Sequence, residues 1–216
     1  MRLLMIALTV NMVVAAHSAE SNALRLPAIF SDRMVLLSDC PVPVWGWAPA
    51  GQIISVKIAD QAKTATTGAD GRWQVTLDPL PAGGPYEMAI SGPGKRLIKD
   101  ILAGEVWLGS GQSNMAWPVK LSARATAEIA AARYPSIRFF TVAFASHPQP
   151  LTDCQGEWRE CSPDSVPDFS ATAYFFGRRI HDELKVPVGL IVSAEGGTPI
   201  DVWMSRESCA SHPDLE

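Results

Sequence analysis

The run Gly109-Ser110-Gly111-Gln112-Ser113-Asn114-Met115 carries the clearest chemical potential in the sequence. A serine hydroxyl attacks an acyl carbon only when a base takes its proton and donors receive the emerging oxyanion. Ser113 meets part of that need if the apolar stretch Ile101 to Gly109 is a strand and a helix begins just after it. A side chain at such a turn projects over the carboxyl ends of the strands, where ligands bind in open α/β sheets. Its backbone N–H then lies at a helix start, unpaired and facing a substrate oxygen. The flanking glycines let the chain turn tightly and let a substrate approach the backbone. The run departs from the Gly-x-Ser-x-Gly elbow, because Met115 stands where the last glycine would be. The same spacing also fits a polar turn that merely caps a helix.

The elements that must hold this serine are readable around it. Ala123 to Arg133 is alanine-rich and helical, and Ile137 to Val142 is a strand. Phe169 to Leu184 has apolar residues at helical spacing, among them Tyr174, Phe175, Ile180 and Leu184. Val186 to Val192 is a strand buried on both faces. Strand, helix, strand, helix, strand in that order predicts a parallel sheet with right-handed crossovers. Before it, residues 24–99 read as all-β. Val42 and Val44, then Ile54, Val56 and Ile58, then Trp73, Val75 and Leu77 alternate at period two, with a turn at Asp70-Gly71. Tyr86 to Ile90 adds a further strand. The pattern fits a small β-sandwich. Trp45 and Trp47 share one face of their strand, which fits core or interface packing better than a sugar-stacking surface. The fold expected is therefore α/β: residues 24–99 as a β-sandwich domain, then residues 100–216 as part of a three-layer α/β/α domain, with the boundary at Lys99-Asp100.

Composition narrows the function classes. A formal charge of −4 leaves no basic footprint for nucleic acid. Arg2, the apolar run Leu3 to Val14 and the small residues Ala15, Ala16 and Ala19 read as an export signal over residues 1–19, too short to span a bilayer. The expected location is periplasmic or secreted, with no membrane association beyond the leader. In that oxidising setting Cys154 and Cys161, close in sequence, are the first candidates for a disulfide, with Cys40 and Cys209 left over. No CxxC pair occurs, so no metal site is expected and no cofactor is implied.

Several segments then point the same way. Gly111 to Met115, following Gly104-Glu-Val-Trp107, resembles the first block of SGNH-type hydrolases, and within them the sialate O-acetylesterase family. Leu26 to Leu36, Val44-Trp-Gly-Trp47 with Ala50-Gly51, and Asp70-Gly-Arg-Trp73 resemble that family's N-terminal β-domain. Phe176-Gly-Arg-Arg-Ile-His181, Val186 to Leu190, and Gly196-Gly-Thr-Pro-Ile200 with Trp203 are similar to its next helix, strand and loop. The resemblance implies that Ser113 is the nucleophile. It implies an oxyanion hole from the Ser113 N–H and one of Gly196 and Gly197, with Gly197 favoured. It gives Asn114 and Gln112 the orienting or substrate-donating roles. The implied substrate is an acetylated carbohydrate, hydrolysed through an acyl-enzyme. One departure is Glu195, where the family usually has an aromatic residue before the glycine pair.

The Asp-x-x-His block that supplies the base in SGNH hydrolases does not occur: Phe144, Arg178 and Cys209 stand three residues before His147, His181 and His212. His181 reads as a helix-surface or core-edge residue. The resemblance thus covers the N-terminal portion of the family's fold. The expectation is a truncated, incomplete hydrolase domain, poorly stable or inactive alone. A non-catalytic carbohydrate-binding or pseudoenzyme module is the alternative.

Overall fold

The computed structural model describes residues 23–147 and 149–211, apart from the side chain of Arg206. Residues 1–19, read above as an export signal, and His212 lie outside them. Among the described residues ten strands are present: β1 Val35–Leu37, β2 Val42–Trp47, β3 Ile53–Ile58, β4 Gln61–Thr66, β5 Arg72–Leu77, β6 Gly83–Ser91, β7 Lys95–Gly111, β8 Tyr134–Thr141, β9 Trp158–Cys161 and β10 Val188–Ala194. Four helices accompany them: α1 Ser113–Ala116, α2 Ala125–Ala131, α3 Ala171–Leu184 and α4 Arg206–Ala210. No described helix is long and apolar enough to cross a membrane.

The architecture is mixed α/β, organised by β7. Its seventeen residues take part in two kinds of pairing. Its first half lies antiparallel to β6, and its second half lies parallel to β10. The large sheet runs β4-β3-β6-β7-β10-β8-β9, with β1 parallel beside β7, while β2 and β5 form a separate antiparallel pair. The change of composition at Lys99-Asp100 thus falls inside one strand. Asp100 takes φ 55°, a left-handed conformation that short polar side chains tolerate. Its carboxylate receives both ends of the Arg138 guanidinium, at 2.8 and 3.1 Å. Arg138 is only 4% exposed, so this pair ties β7 to β8 from inside the protein.

Two apolar clusters follow from strand alternation. Val44, Val75 and Leu77 of the small pair share a core with Ile54, Val56, Met88, Ile90 and Ile101 of the large sheet. Phe140 and Trp158 extend that cluster along β8 and β9. The opposite side chains of β8 and β10, Ile137, Phe139, Val188, Leu190 and Val192, form a second cluster with Tyr174 and Ala173 of α3. Met115 and Ile129, from α1 and α2, pack against the same cluster. Helices therefore cover that face of the parallel strands. Gly177 lets α3 sit close to Leu190, whose Cδ1 lies 2.5 Å from the position a Cβ would take.

Three sequence expectations change or sharpen on contact with the structure. Cys154 and Cys161 are both free thiols. They serve different cores: Cys161 is buried in the helix-side cluster, whereas Cys154 packs against the other. Burial pushes the Cys161 thiol up to about 12. Of core or interface packing, Trp45 and Trp47 take the interface role, since the inward positions of β2 are Val42, Val44 and Gly46. They face outward under the preceding segment, Trp45 edge-on to Phe30 at 4.7 Å and Trp47 beneath the Arg25 guanidinium at 3.7 Å. The stretch between the two cysteines, read as loop, ends in strand β9, antiparallel to β8.

Candidate active site

Ser113 opens α1, two residues beyond the end of β7, and is exposed. Gly111, at φ 137°, makes the turn out of the strand. The helix is only one turn long, so its position depends on anchors outside it. Met115 is the main one. Its sulfur fills the space left by the missing side chain of Gly109, 2.9 Å from where a Cβ would stand. Ser170 Oγ donates to that sulfur at 3.6 Å and also accepts the N–H of Ala173, capping α3. Thr172 Oγ1 donates to the Asn114 carbonyl at 2.9 Å, and the Ala171 N–H donates to Trp117 O at 2.7 Å. The turn that carries Ser113 is thus stitched to the start of α3. Ser170 and Thr172 escaped the sequence reading. A serine just before an alanine-rich helical run is the signal that marks such a cap.

The second half of the site comes from β10. Its register sets Ser193 beside Ser110 and Ala194 beside Gly111, and the Glu195 N–H donates to Gly111 O at 3.0 Å. Gly196 follows directly and lies against Ser113: a Cβ on it would stand 3.8 Å from the Ser113 Cβ. Gly197 takes φ 82° with open space around it. Parallel pairing therefore brings Ser113 and the glycine pair to one sheet end from distant parts of the sequence.

The hydrogen bonds of Ser113 differ from the sequence expectation. Its backbone N–H is not unpaired: it donates to Gln112 Oε1 at 2.9 Å. Its hydroxyl donates to the same oxygen at 2.5 Å. One carboxamide oxygen thus accepts from both groups that an ester would engage. Gln112 thereby stands where a substrate's carbonyl oxygen would be received.

Comparison with known proteins decides the lineage. A family described as carbohydrate esterase, sialic acid-specific acetylesterase, matches residues 103–212. The chain belongs to this family. It is also similar to the sialate O-acetylesterases of Rattus norvegicus, at 32% identity over 84% of this chain and 38% of that protein, and of Homo sapiens, at 29% over 95% and 43%. A solved carbohydrate acetylesterase from Xanthomonas citri superposes with a TM-score of 0.85 and 35% identity, covering 87% of this chain and 44% of that one. The chain therefore spans about two fifths of the length of these relatives.

Within this acetylesterase-family chain the histidines separate clearly. His181 Nδ1 is 2.7 Å from Val186 O, and its ring meets Tyr134 edge-on. That position is beside the start of β10, roughly 20 Å of strand from the end that carries Gly196. It stays a structural residue. His147 lines a cavity of about 870 Å³ at the ends of β8 and β10, together with Phe144, Asp153, Glu195, Thr198 and Trp203. The cavity lies next to the serine without including it, since Glu195 and Thr198 flank the glycine pair on its wall. Among the described residues no group of three or more His, Cys, Asp or Glu side chains is placed to hold a metal ion.

Proposed function

We propose that this chain carries the nucleophile of a carbohydrate O-acetylesterase that works through a serine acyl-enzyme. The reading rests on one observation: an exposed Ser113 hydroxyl at the carboxyl end of β7, with Gly196 against it at the matching end of β10. Membership of a carbohydrate esterase family supports the acetyl-sugar substrate class. In the reaction Ser113 Oγ adds to the acetyl carbonyl, the sugar hydroxyl leaves with a proton, and water releases acetate from the serine. The oxyanion is received by the Ser113 N–H and a backbone N–H of Gly196 or Gly197. For that to happen the Gln112 carboxamide must move off the serine, after which its NH₂ can donate to substrate. Asn114 keeps an exposed side chain beside the nucleophile for the same purpose. Among the described residues no histidine or carboxylate is hydrogen-bonded to the Ser113 hydroxyl, so the reaction needs a base brought to Oγ from elsewhere. The leader around Arg2 and Leu3 to Val14 supports action in the periplasm or outside the cell.

A fluorophosphonate probe tests the assignment. Ser113 should be the labelled residue by peptide mapping, and Ser113→Ala should abolish labelling. Labelling that persists in Ser113→Ala removes Ser113 from the mechanism. A second reading, a non-catalytic carbohydrate-binding module, is favoured by the hydroxyl being bound to Gln112 rather than to a base. Sugar binding with no labelling of Ser113 would select it.

A further inference from the structure

The cavity beside the serine carries an asymmetry of charge. Two acidic residues line it, Asp153 and Glu195, and among the described lining residues there is no lysine or arginine. Asp153 is neutralised from within the fold. One oxygen accepts the N–H groups of Ala28 and Cys154 at 3.0 and 2.8 Å, and the other lies 3.5 Å from Arg25. Glu195 has no such compensation. Its backbone is fixed by the N–H bond to Gly111, but no side-chain donor reaches its half-buried carboxylate among the described residues. The next residue, Gly196, is the one pressed against Ser113. An acidic residue without a described ion-pair partner thus lines the cavity and directly precedes the glycine that lies against Ser113.

The same wall offers a sugar platform. Trp203 Nε1 donates to Thr198 Oγ1 at 2.9 Å, and Thr198 Oγ1 donates to Glu195 O at 2.8 Å. This relay anchors the half-buried indole to the strand end that carries Glu195. A fixed indole beside hydrogen-bonding groups suits a pyranose ring, which presents apolar C–H faces and hydroxyl edges. An unpaired carboxylate accepts hydrogen bonds from sugar hydroxyls and repels a second carboxylate.

We propose that this cavity is the sugar subsite of the Ser113 centre and that Glu195 makes it select acetylated sugars that carry no carboxylate. The inference deepens the esterase reading and rests on it. The selection opposes a sialic acid, whose ring bears a carboxylate. Two negative charges ~6 Å apart at an effective dielectric constant of ~40 disfavour binding about tenfold.

N-acetylneuraminic acid and its methyl ester differ in that charge and one methyl group, and comparison with Glu195→Gln isolates the charge. Titrations of the full chain are followed by tryptophan fluorescence, with Trp203→Phe identifying the reporting indole. The methyl ester should bind about tenfold more tightly than the free acid. Glu195→Gln should bring the two within about twofold, mainly by strengthening the acid. Equal or tighter binding of the acid to the unaltered chain overturns the proposal. So does a preference that survives Glu195→Gln, or an absence of binding by either ligand at tens of millimolar. Failure of Ser113 to label with fluorophosphonate, by contrast, would strike the esterase reading and leave the charge preference to be judged by the titrations.

Discussion

Gly104→Ala tests whether close packing of β7 on β10 is what brings the two halves of the site together. A Cβ on Gly104 would stand 2.0 Å from Pro187 O, 2.7 Å from Pro187 C and 3.0 Å from Pro187 Cβ. The obstacle is mainly backbone, so no rotamer change relieves it. Restoring an ordinary contact requires a local separation of roughly 1.4 Å between strands that pair at ~4.8 Å. That displacement lengthens the bond from Glu105 N–H to Pro187 O, now 2.9 Å, beyond useful range. Losing it costs about 1 kcal/mol, and overpacking adds ~1–3 kcal/mol, so a destabilisation of about 2–4 kcal/mol is expected. Two other glycines calibrate the scale. At Gly177 the added methyl meets only the movable end of Leu190, so Gly177→Ala should cost less. At Gly94 it meets Leu24 Cβ at an ordinary 3.6 Å, so Gly94→Ala should fall within ~0.5 kcal/mol of neutral. Urea unfolding of the full chain followed by circular dichroism gives the three midpoints. A Gly104→Ala variant as stable as Gly94→Ala would refute the close-packed joint.

Three further outcomes follow from individual contacts. Gln112→Ala should speed fluorophosphonate labelling of Ser113 about fivefold, because the hydrogen bond that occupies the hydroxyl is worth ~1 kcal/mol; slower labelling would show that the carboxamide assists the serine. Asp100→Asn should lower the unfolding free energy by about 2 kcal/mol, since it strips the buried Arg138 of its bidentate anion and leaves Glu160 at 4.0 Å as the remaining charge; a loss under ~0.5 kcal/mol would show that Arg138 is satisfied without it. Cys161 keeps its proton in the folded chain up to about pH 12 but only to its ordinary 9.0 when unfolded, so the unfolded state binds fewer protons between these values and stability falls as pH rises through that window. Cys161→Ala should make the alkaline fall shallower by one proton, read as the slope of unfolding free energy against pH, and an unchanged slope would place the titration elsewhere.

The sequence was most informative where side-chain period and burial agree. β2, β3 and β5 lie where apolar residues alternate, and α3 occupies the helical stretch ending at Leu184. β4 was illegible because its residues Gln61 to Thr66 carry no apolar alternation. It is an edge strand held by pairing with β3, a tertiary effect that local pattern does not encode. β1 and β9 are too short to show a period at three and four residues. The full extent of β7 was hidden for another reason. Its first half is partly exposed and alternates charge with Leu97 and Ile98, while its second half is apolar, so one strand looked like two segments. A strand that passes from a two-sided antiparallel setting into a parallel one changes its composition without changing its backbone.

The site divides along the same physical line. A strand followed by a glycine turn and a polar helix start is a local signal that sets Ser113 at a sheet end, while the family resemblance is what singles it out from a serine in a plain helix cap. The meeting of Ser113 with Gly196 is not local, for it depends on the β7–β10 register, and no spacing in the sequence states that register. The hydrogen-bonding state of the Ser113 hydroxyl lies further out of reach still. It turns on which way one glutamine side chain folds back, and both orientations are open to the same residues. Gln112 in its present orientation satisfies the Ser113 N–H and hydroxyl together, so an arriving acetyl group must displace two hydrogen bonds before it gains any. That exchange lowers the net affinity for ground-state ester, whose neutral carbonyl accepts weakly. An oxyanion accepts far more strongly than a carbonyl, but both would displace the same two bonds, so the carboxamide's competition falls equally on ester and tetrahedral intermediate. A cost common to both states lowers capture of the ester from solution without altering the barrier between bound ester and intermediate, which is why removing the carboxamide is expected to speed labelling of the free serine.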